Sequence, residues 1–141
     1  MSDFVSKLDG LLFSLLSWDQ LSAFWLRVDV NAGWYIYALG QDVPTVVASP
    51  QQVEDFIIRI DALLHNDHEE SYCGIVYADD LQAPTFMVIY DPNNLGVSCG
   101  SSKERVLPGW VMSQVAPTAL HTKVVANNRK RWWDGFMGIK A

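Results

Sequence analysis

From its first residues the chain sets apolar side chains three and four apart: Phe4, Val5, Leu8, Leu11, Leu12, Leu15 and Leu16. A helix gathers such positions onto one stripe, with Ser2 or Asp3 available as its cap. Gly10 interrupts the run at a cost of about 1 kcal/mol relative to alanine, so this helix is expected to depend on tertiary packing. A second short helix is expected from Asp19, a good cap residue, through Leu21, Phe24 and Trp25. From Ala32 the pattern changes to aromatic and β-branched residues. Trp34-Tyr35-Ile36-Tyr37-Ala38-Leu39 and Pro44-Thr45-Val46-Val47, separated by Gly40-Gln41-Asp42, read as a β-hairpin.

The clearest element follows. Ser49-Pro50-Gln51-Gln52 combines a cap serine, a proline at the first helical position and a glutamine at the capping-box position. Val53, Phe56, Ile57, Ile60, Leu63 and Leu64 then recur at helical spacing, with Glu54, Asp55, Arg59 and Asp61 on the solvated side, which predicts an amphipathic helix over 50–65. Tyr72 to Ala78 and Thr85 to Tyr90 are strand candidates joined by the polar loop Asp79-Asp80-Leu81-Gln82-Ala83-Pro84. A turn at Asp91-Pro92-Asn93-Asn94-Leu95-Gly96 leads to a short strand, Val97-Ser98-Cys99, and Leu107 to Met112 is expected as an edge strand because Pro108 cannot donate to a central ladder. Helix, hairpin, helix and hairpin in succession do not alternate as a parallel doubly wound sheet requires. The expected fold is α+β: a single twisted antiparallel sheet of about five strands, with two or three helices packed mainly on one face. Residues 1–141 are read as one domain in which 117–141 form a basic, tryptophan-containing tail that docks on the body.

Composition sharpens this reading only in places. Half of the 141 residues are hydrophobic, enough to bury a core without staples. Two cysteines, Cys73 and Cys99, require no disulfide framework and suit a reducing compartment, so a cytoplasmic location is expected. The apolar run Leu11 to Leu16 is too short to span a bilayer. Charge is more informative. The net charge is −6, but residues 1–100 hold three Lys/Arg against fourteen Asp/Glu, giving −11, whereas residues 101–141 hold seven against two, giving +5.

Candidate chemistry is sparse. Cys99, followed by Gly100-Ser101-Ser102, has the small neighbours that would suit a nucleophile, with His121 or His68 as base; the plainer reading is a small residue beside a glycine turn. His65 and His68, near Asp67, Glu69 and Glu70, are candidate metal ligands, although histidines also complement a helix C-terminus. Asp79 and Asp80, with Asp91, resemble a paired-carboxylate arrangement, while aspartates commonly start turns by bonding local backbone. Phosphate-binding glycine patterns, a G-x-S-x-G elbow and an H-E-x-x-H run are absent, which disfavours nucleotide hydrolysis; no cofactor is implied. Arg129-Lys130-Arg131-Trp132-Trp133 has the composition to neutralise phosphates and stack on bases, but the acidic body opposes nucleic acid, and docking of this segment on that body is the preferred expectation. The first hairpin is bulky at both parities, so both its faces need cover, from the chain itself, a second subunit or a partner.

The expectation for function is therefore a non-enzymatic protein-binding or regulatory module acting through an acidic, aromatic-rich surface, of the toxin-neutralising or enzyme-regulating type, with another protein or a second copy as partner. Its binding residues would be Glu69, Glu70, Asp79, Asp80, Tyr77 and Trp34, with Arg129, Arg131, Trp132 and Trp133 from the tail. A small enzyme built on Cys99, and nucleic-acid binding through the tail, are the alternatives.

Overall fold

The computed structural model describes residues 3–68, 73–92 and 108–120. Along the chain run α1 (Asp3–Leu8), β1 (Phe13–Leu15), α2 (Trp18–Trp25), β2 (Tyr35–Ala38), α3 (Pro50–Asp67), β3 (Val76–Ala78), β4 (Phe86–Ile89) and β5 (Trp110–Ser113). The strands form one antiparallel sheet in the order β1-β3-β4-β5-β2. This is the α+β architecture that the element order predicts.

The pleat divides the sheet's side chains between two layers. Met87, Ile89, Trp110 and Met112 face α2 and α3, which bring Leu21, Phe24, Phe56 and Ile60 to that side. Phe86, Val88, Val111 and Tyr37 face the opposite way, where Phe4 and Leu8 of α1 cover them. Phe4 packs edge-on to Phe86 at 5.7 Å and tilted on Tyr37 at 6.2 Å between ring centroids. Both long helices thus lie on one face, with the short α1 on the other.

Helix α3 forms as its sequence predicts. Ser49 Oγ accepts from the Gln52 backbone N–H at 3.1 Å and Gln52 Oε1 accepts from the Ser49 N–H at 2.9 Å, a complete capping box.

Four local expectations need correction. The opening helix stops at Leu8, where a Cβ on Gly10 would lie 3.1 Å from the Ser6 carbonyl oxygen; the chain turns there, and Phe13–Leu15 become a strand. Helix α2 is capped by Ser17, whose Oγ accepts from the Gln20 N–H at 2.9 Å, and not by Asp19, which lies inside its first turn. Residues 44–47 do not return along β2 as a hairpin. The Ala48 N–H donates to the Trp34 carbonyl at 2.7 Å, but β2's ladder partner is β5, with Tyr35 opposite Ser113 and Ala38 opposite Trp110. Finally, β5 lies inside the sheet between β4 and β2. Pro108 does not prevent this because the ladder's need for amides begins one residue later, with the Gly109 N–H donating to Ile89 at 2.9 Å. Glycine suits that position, since a Cβ there would stand 3.1 Å from the Asp91 Cβ, a tight contact that would push the two segments apart slightly.

The expected strand Val97 to Cys99 and the tail beyond Leu120 lie outside the described residues. No helix among the described residues is long and apolar enough to cross a membrane.

Ser49→Ala should lower stability by about 1 kcal/mol, seen as a lower urea midpoint at unchanged slope. An unchanged midpoint would show that packing of α3 alone holds its first turn.

Candidate functional site

Two neighbouring surfaces gather the polar and aromatic groups of the described chain. The first is the outer side of the α2–α3 layer. Helix α2 buries Leu21, Phe24 and Trp25, leaving Trp18 at its first turn half-buried. The Trp25 indole N–H donates to Asp61 Oδ1 at 3.0 Å, while the Trp18 ring stacks on His65 with centroids 4.2 Å apart. Because Trp25 meets Asp61 and Trp18 meets His65, the two helices run in opposite senses. His65 Nε2 lies 3.6 Å from the same Asp61 oxygen, completing a row of indole, imidazole and carboxylate.

His68 has a different task. Its ring is buried edge-on to Trp18, and its Nε2 lies 2.9 Å from the Cys73 carbonyl oxygen. A carbonyl can only accept, so Nε2 donates, and the imidazole ties the end of α3 to the approach to β3. The two histidines proposed as metal ligands are thus each engaged by organic partners. Among the described residues no group of three or more His, Cys, Asp or Glu side chains could hold a metal ion.

Cys73 is a free, buried thiol. Burial pushes its pKa up; backbone N–H groups of Ile75, Val76 and Gly74 oppose this in part, and the nearby Asp61 charge adds to it. A thiol held above its ordinary range supplies little thiolate at neutral pH. Cys99 and His121, the nucleophile and base considered above, lie outside the described residues. So do Glu69, Glu70, Arg129, Arg131, Trp132 and Trp133.

The second surface is the β3–β4 loop. Asp79 Oδ1 accepts from the backbone N–H groups of Thr85 at 2.9 Å and Phe86 at 3.1 Å, and its Oδ2 accepts from the Thr85 hydroxyl and from Lys7 Nζ at 3.1 Å. Partial burial alone would raise the Asp79 pKa, but the Thr85 hydroxyl, the Thr85 amide and the Lys7 ammonium outweigh it, so the carboxyl titrates below its ordinary value. Asp80 is exposed, and its Oδ1 accepts from the Gln82 and Ala83 N–H groups, which hold its pKa down. Both aspartates therefore shape the loop.

Asp91 belongs to the opposite end of β4. At about 3.4 Å per residue it stands roughly 17 Å along the strand from the Asp79 end, beyond the separation at which two carboxylates share acid–base work. Arg27 Nη1, just past α2, donates to the Leu81 carbonyl at 3.3 Å, so the loop and the C-terminal end of α2 form one continuous surface.

Trp34 must be moved from the binding surface to the core: it is fully buried, with its indole N–H donating to the Asp29 carbonyl at 2.7 Å. Tyr77 is half-buried against Tyr90 at 5.8 Å on the α1 side of the sheet. Sequence reasoning missed the Trp18–His65–Asp61 row. The i, i+4 spacing of Asp61 and His65 was visible, but their meeting with α2 depends on tertiary packing.

The chain matches no family among protein-family models, no curated protein and no solved structure, so the surfaces have to be interpreted from their own residues.

Two outcomes test this account. Asp79→Ala should destabilise the protein by about 2 kcal/mol near neutral pH, by leaving the Thr85 and Phe86 amides without an acceptor. Because the folded-state pKa is depressed, this contribution is present above the unfolded value of about 3.9 and is lost as pH falls through the folded value. Wild-type and variant denaturation midpoints should therefore converge in acid, and a gap that stays constant with pH would refute the assignment. Cys73 should resist alkylation in the native protein and react once denaturant opens the core; rapid native labelling of Cys73, located by peptide mass, would contradict its burial.

Proposed function

We propose that the protein is a non-enzymatic binding or regulatory module, working in the cytoplasm, that docks on a partner protein bearing a basic surface. One observation carries this reading. The described residues hold twelve carboxylates against three cations, and all three cations are engaged by the chain itself. Lys7 is held by Asp79 and Thr85, Arg59 by Asp55, and Arg27 by the Leu81 carbonyl. Much of the remaining acidity is on exposed residues, Asp19, Asp29, Asp42, Glu54 and Asp80 among them. A surface of one sign steers an oppositely charged partner and repels nucleic acid.

The surface that best joins acidity to apolar contact is the one where α2 ends against the β3–β4 loop. Leu26 is 87% exposed there, close to Asp29 in sequence, and the Arg27–Leu81 bond brings the Asp80 loop beside it. An exposed leucine with acidic neighbours has the anatomy of a small interface: an apolar centre and a charged rim. Neutralisation of a toxin and regulation of an enzyme are both activities that such a surface performs without catalytic groups of its own.

The test is retention of proteins from native lysate on the tagged full-length chain, washed in parallel at low and high salt. Asp29→Asn with Asp80→Asn removes charge while preserving the amide acceptors of both turns, and Leu26→Asp spoils the apolar centre. A single stoichiometric basic protein should be retained at low salt and released at high salt. Its retention should fall on the order of tenfold with either change. Retention indifferent to salt and to both changes would refute the reading.

A further inference from the structure

The two edges of the sheet are finished differently. Beside β2, the chain returns closely enough for the Ala48 N–H to bond the Trp34 carbonyl. At the other end of the strand order stands β1. Among the described residues, hydrogen bonds to the 13–16 backbone come from β3, from the Cys73 and Gly74 N–H groups, and from Gln20, whose side chain accepts the Leu16 N–H. All of these come from neighbours that precede or follow the strand or lie on its inner side.

Natural edge strands are usually guarded by lysine, proline, inward-pointing charge or a bulge that turns the edge away. The segment from Gly10 to Trp18 contains no charged residue and no proline, although the described chain as a whole is strongly acidic. Leu11, Phe13 and Leu16 are 76%, 45% and 63% exposed. At the centre of the strand, Ser14 Oγ is buried with no hydrogen-bond partner among the described residues.

We propose that two copies of the chain pair edge to edge through β1, antiparallel across a two-fold axis at Ser14. The charge distribution selects the occupant. A basic partner gains nothing electrostatically from the uncharged strip itself, whereas a second copy meets no charged side chain between Gly10 and Trp18, the flanking Asp9 and Asp19 contributing to the repulsion that salt screens. With the axis at Ser14, Phe13 stands opposite Leu15 of the other copy and Leu12 opposite Leu16. The two Ser14 hydroxyls face each other on the same side of the extended sheet, and a change of rotamer gives each the partner that it lacks. The contact is isologous and closes at two copies. A strand of three residues, with Phe13 exposed on it and Leu11 and Leu16 exposed beside it, falls well short of the roughly 800 Å² per partner of a stable interface, so the dimer is weak and forms at high concentration.

Its salt response separates it from the partner binding proposed above. Two bodies of net charge −6 repel each other, so raised salt strengthens this association while weakening attachment of a basic partner. The experiment is sedimentation equilibrium of the full-length chain from low-micromolar to near-millimolar concentration, at two salt concentrations. Average mass should rise from the monomer's 15.9 kDa toward twice that value, more steeply at high salt. Phe13→Lys should abolish the rise while leaving the far-ultraviolet circular dichroism unchanged, and amide exchange over 13–15 should slow as wild-type concentration increases. A wild type that stays monomeric throughout would overturn the proposal. So would a dimer that Phe13→Lys leaves intact, or one that dissociates as salt is raised.

Discussion

Burial of the central strands on both faces is the constraint from which the rest of this structure follows. Every residue of β4 and β5 is buried, so neither side of the sheet's centre tolerates water. Antiparallel sheets commonly leave one face solvated, and this one does not. One face takes the two long helices. The other takes Phe4 and Leu8 from the first residues described, and Val115 and Leu120 from the last, with the Leu120 N–H donating to the Tyr37 hydroxyl at 3.0 Å. Segments from opposite ends of the described chain thus close the same layer.

That closure depends on a helix too short to stand alone. Six residues cannot offset the cost of nucleating a helix in water, so α1 exists because its apolar side chains pack on the sheet and Lys7 reaches the β3–β4 loop. Asp79 is the meeting point. It accepts from the amides at the entry to β4 and from the lysine of α1, so one carboxylate organises both a turn and the docking of a helix. Its low pKa follows from this work: the charged form is the one that its donors hold.

The parts legible in the sequence are those whose physics is local. Ser49-Pro50-Gln51-Gln52 specifies the start of α3 through bonds between residues three apart, and the helical spacing from Val53 to Leu64 needs no knowledge of what the helix packs against. Most of the errors have the opposite property; the exception is the cap of α2, where Ser17 bonds Gln20 three residues on and is as local as Ser49. Phe13 to Leu15 continue a helical period that Gly10 ends, and only their pairing with Val76 to Ala78 makes them a strand. Tyr35 to Ala38 pair with residues more than seventy positions away, which no turn signal near Gly40 reveals. Asp79 and Asp80 were readable as loop aspartates, whereas the link from Lys7 to Asp79 spans 72 positions and was not. The exposed Leu26 and the Arg27–Leu81 bond were likewise hidden, because they depend on where the end of α2 comes to rest.

The same contacts also shape the surface. Where cations are few, as among the described residues, there are two ways to use them: exposed, where they moderate the local field, or bound to the chain's own acceptors, where they stabilise the fold and leave the surface around them acidic. In the described body Lys7, Arg27 and Arg59 all contact the chain's own acceptors. The acidity is therefore partly a consequence of how the fold is held together, since Lys7 would be freed only by undoing the junction of α1 with the β3–β4 loop. The run from Gly10 to Trp18 is the counterpart of that arrangement, an uncharged strip that carries β1, the strand at one end of the described sheet. On the two proposals made above, attraction of a basic partner and pairing with a second copy use different parts of one surface, and raised ionic strength would weaken the first and strengthen the second.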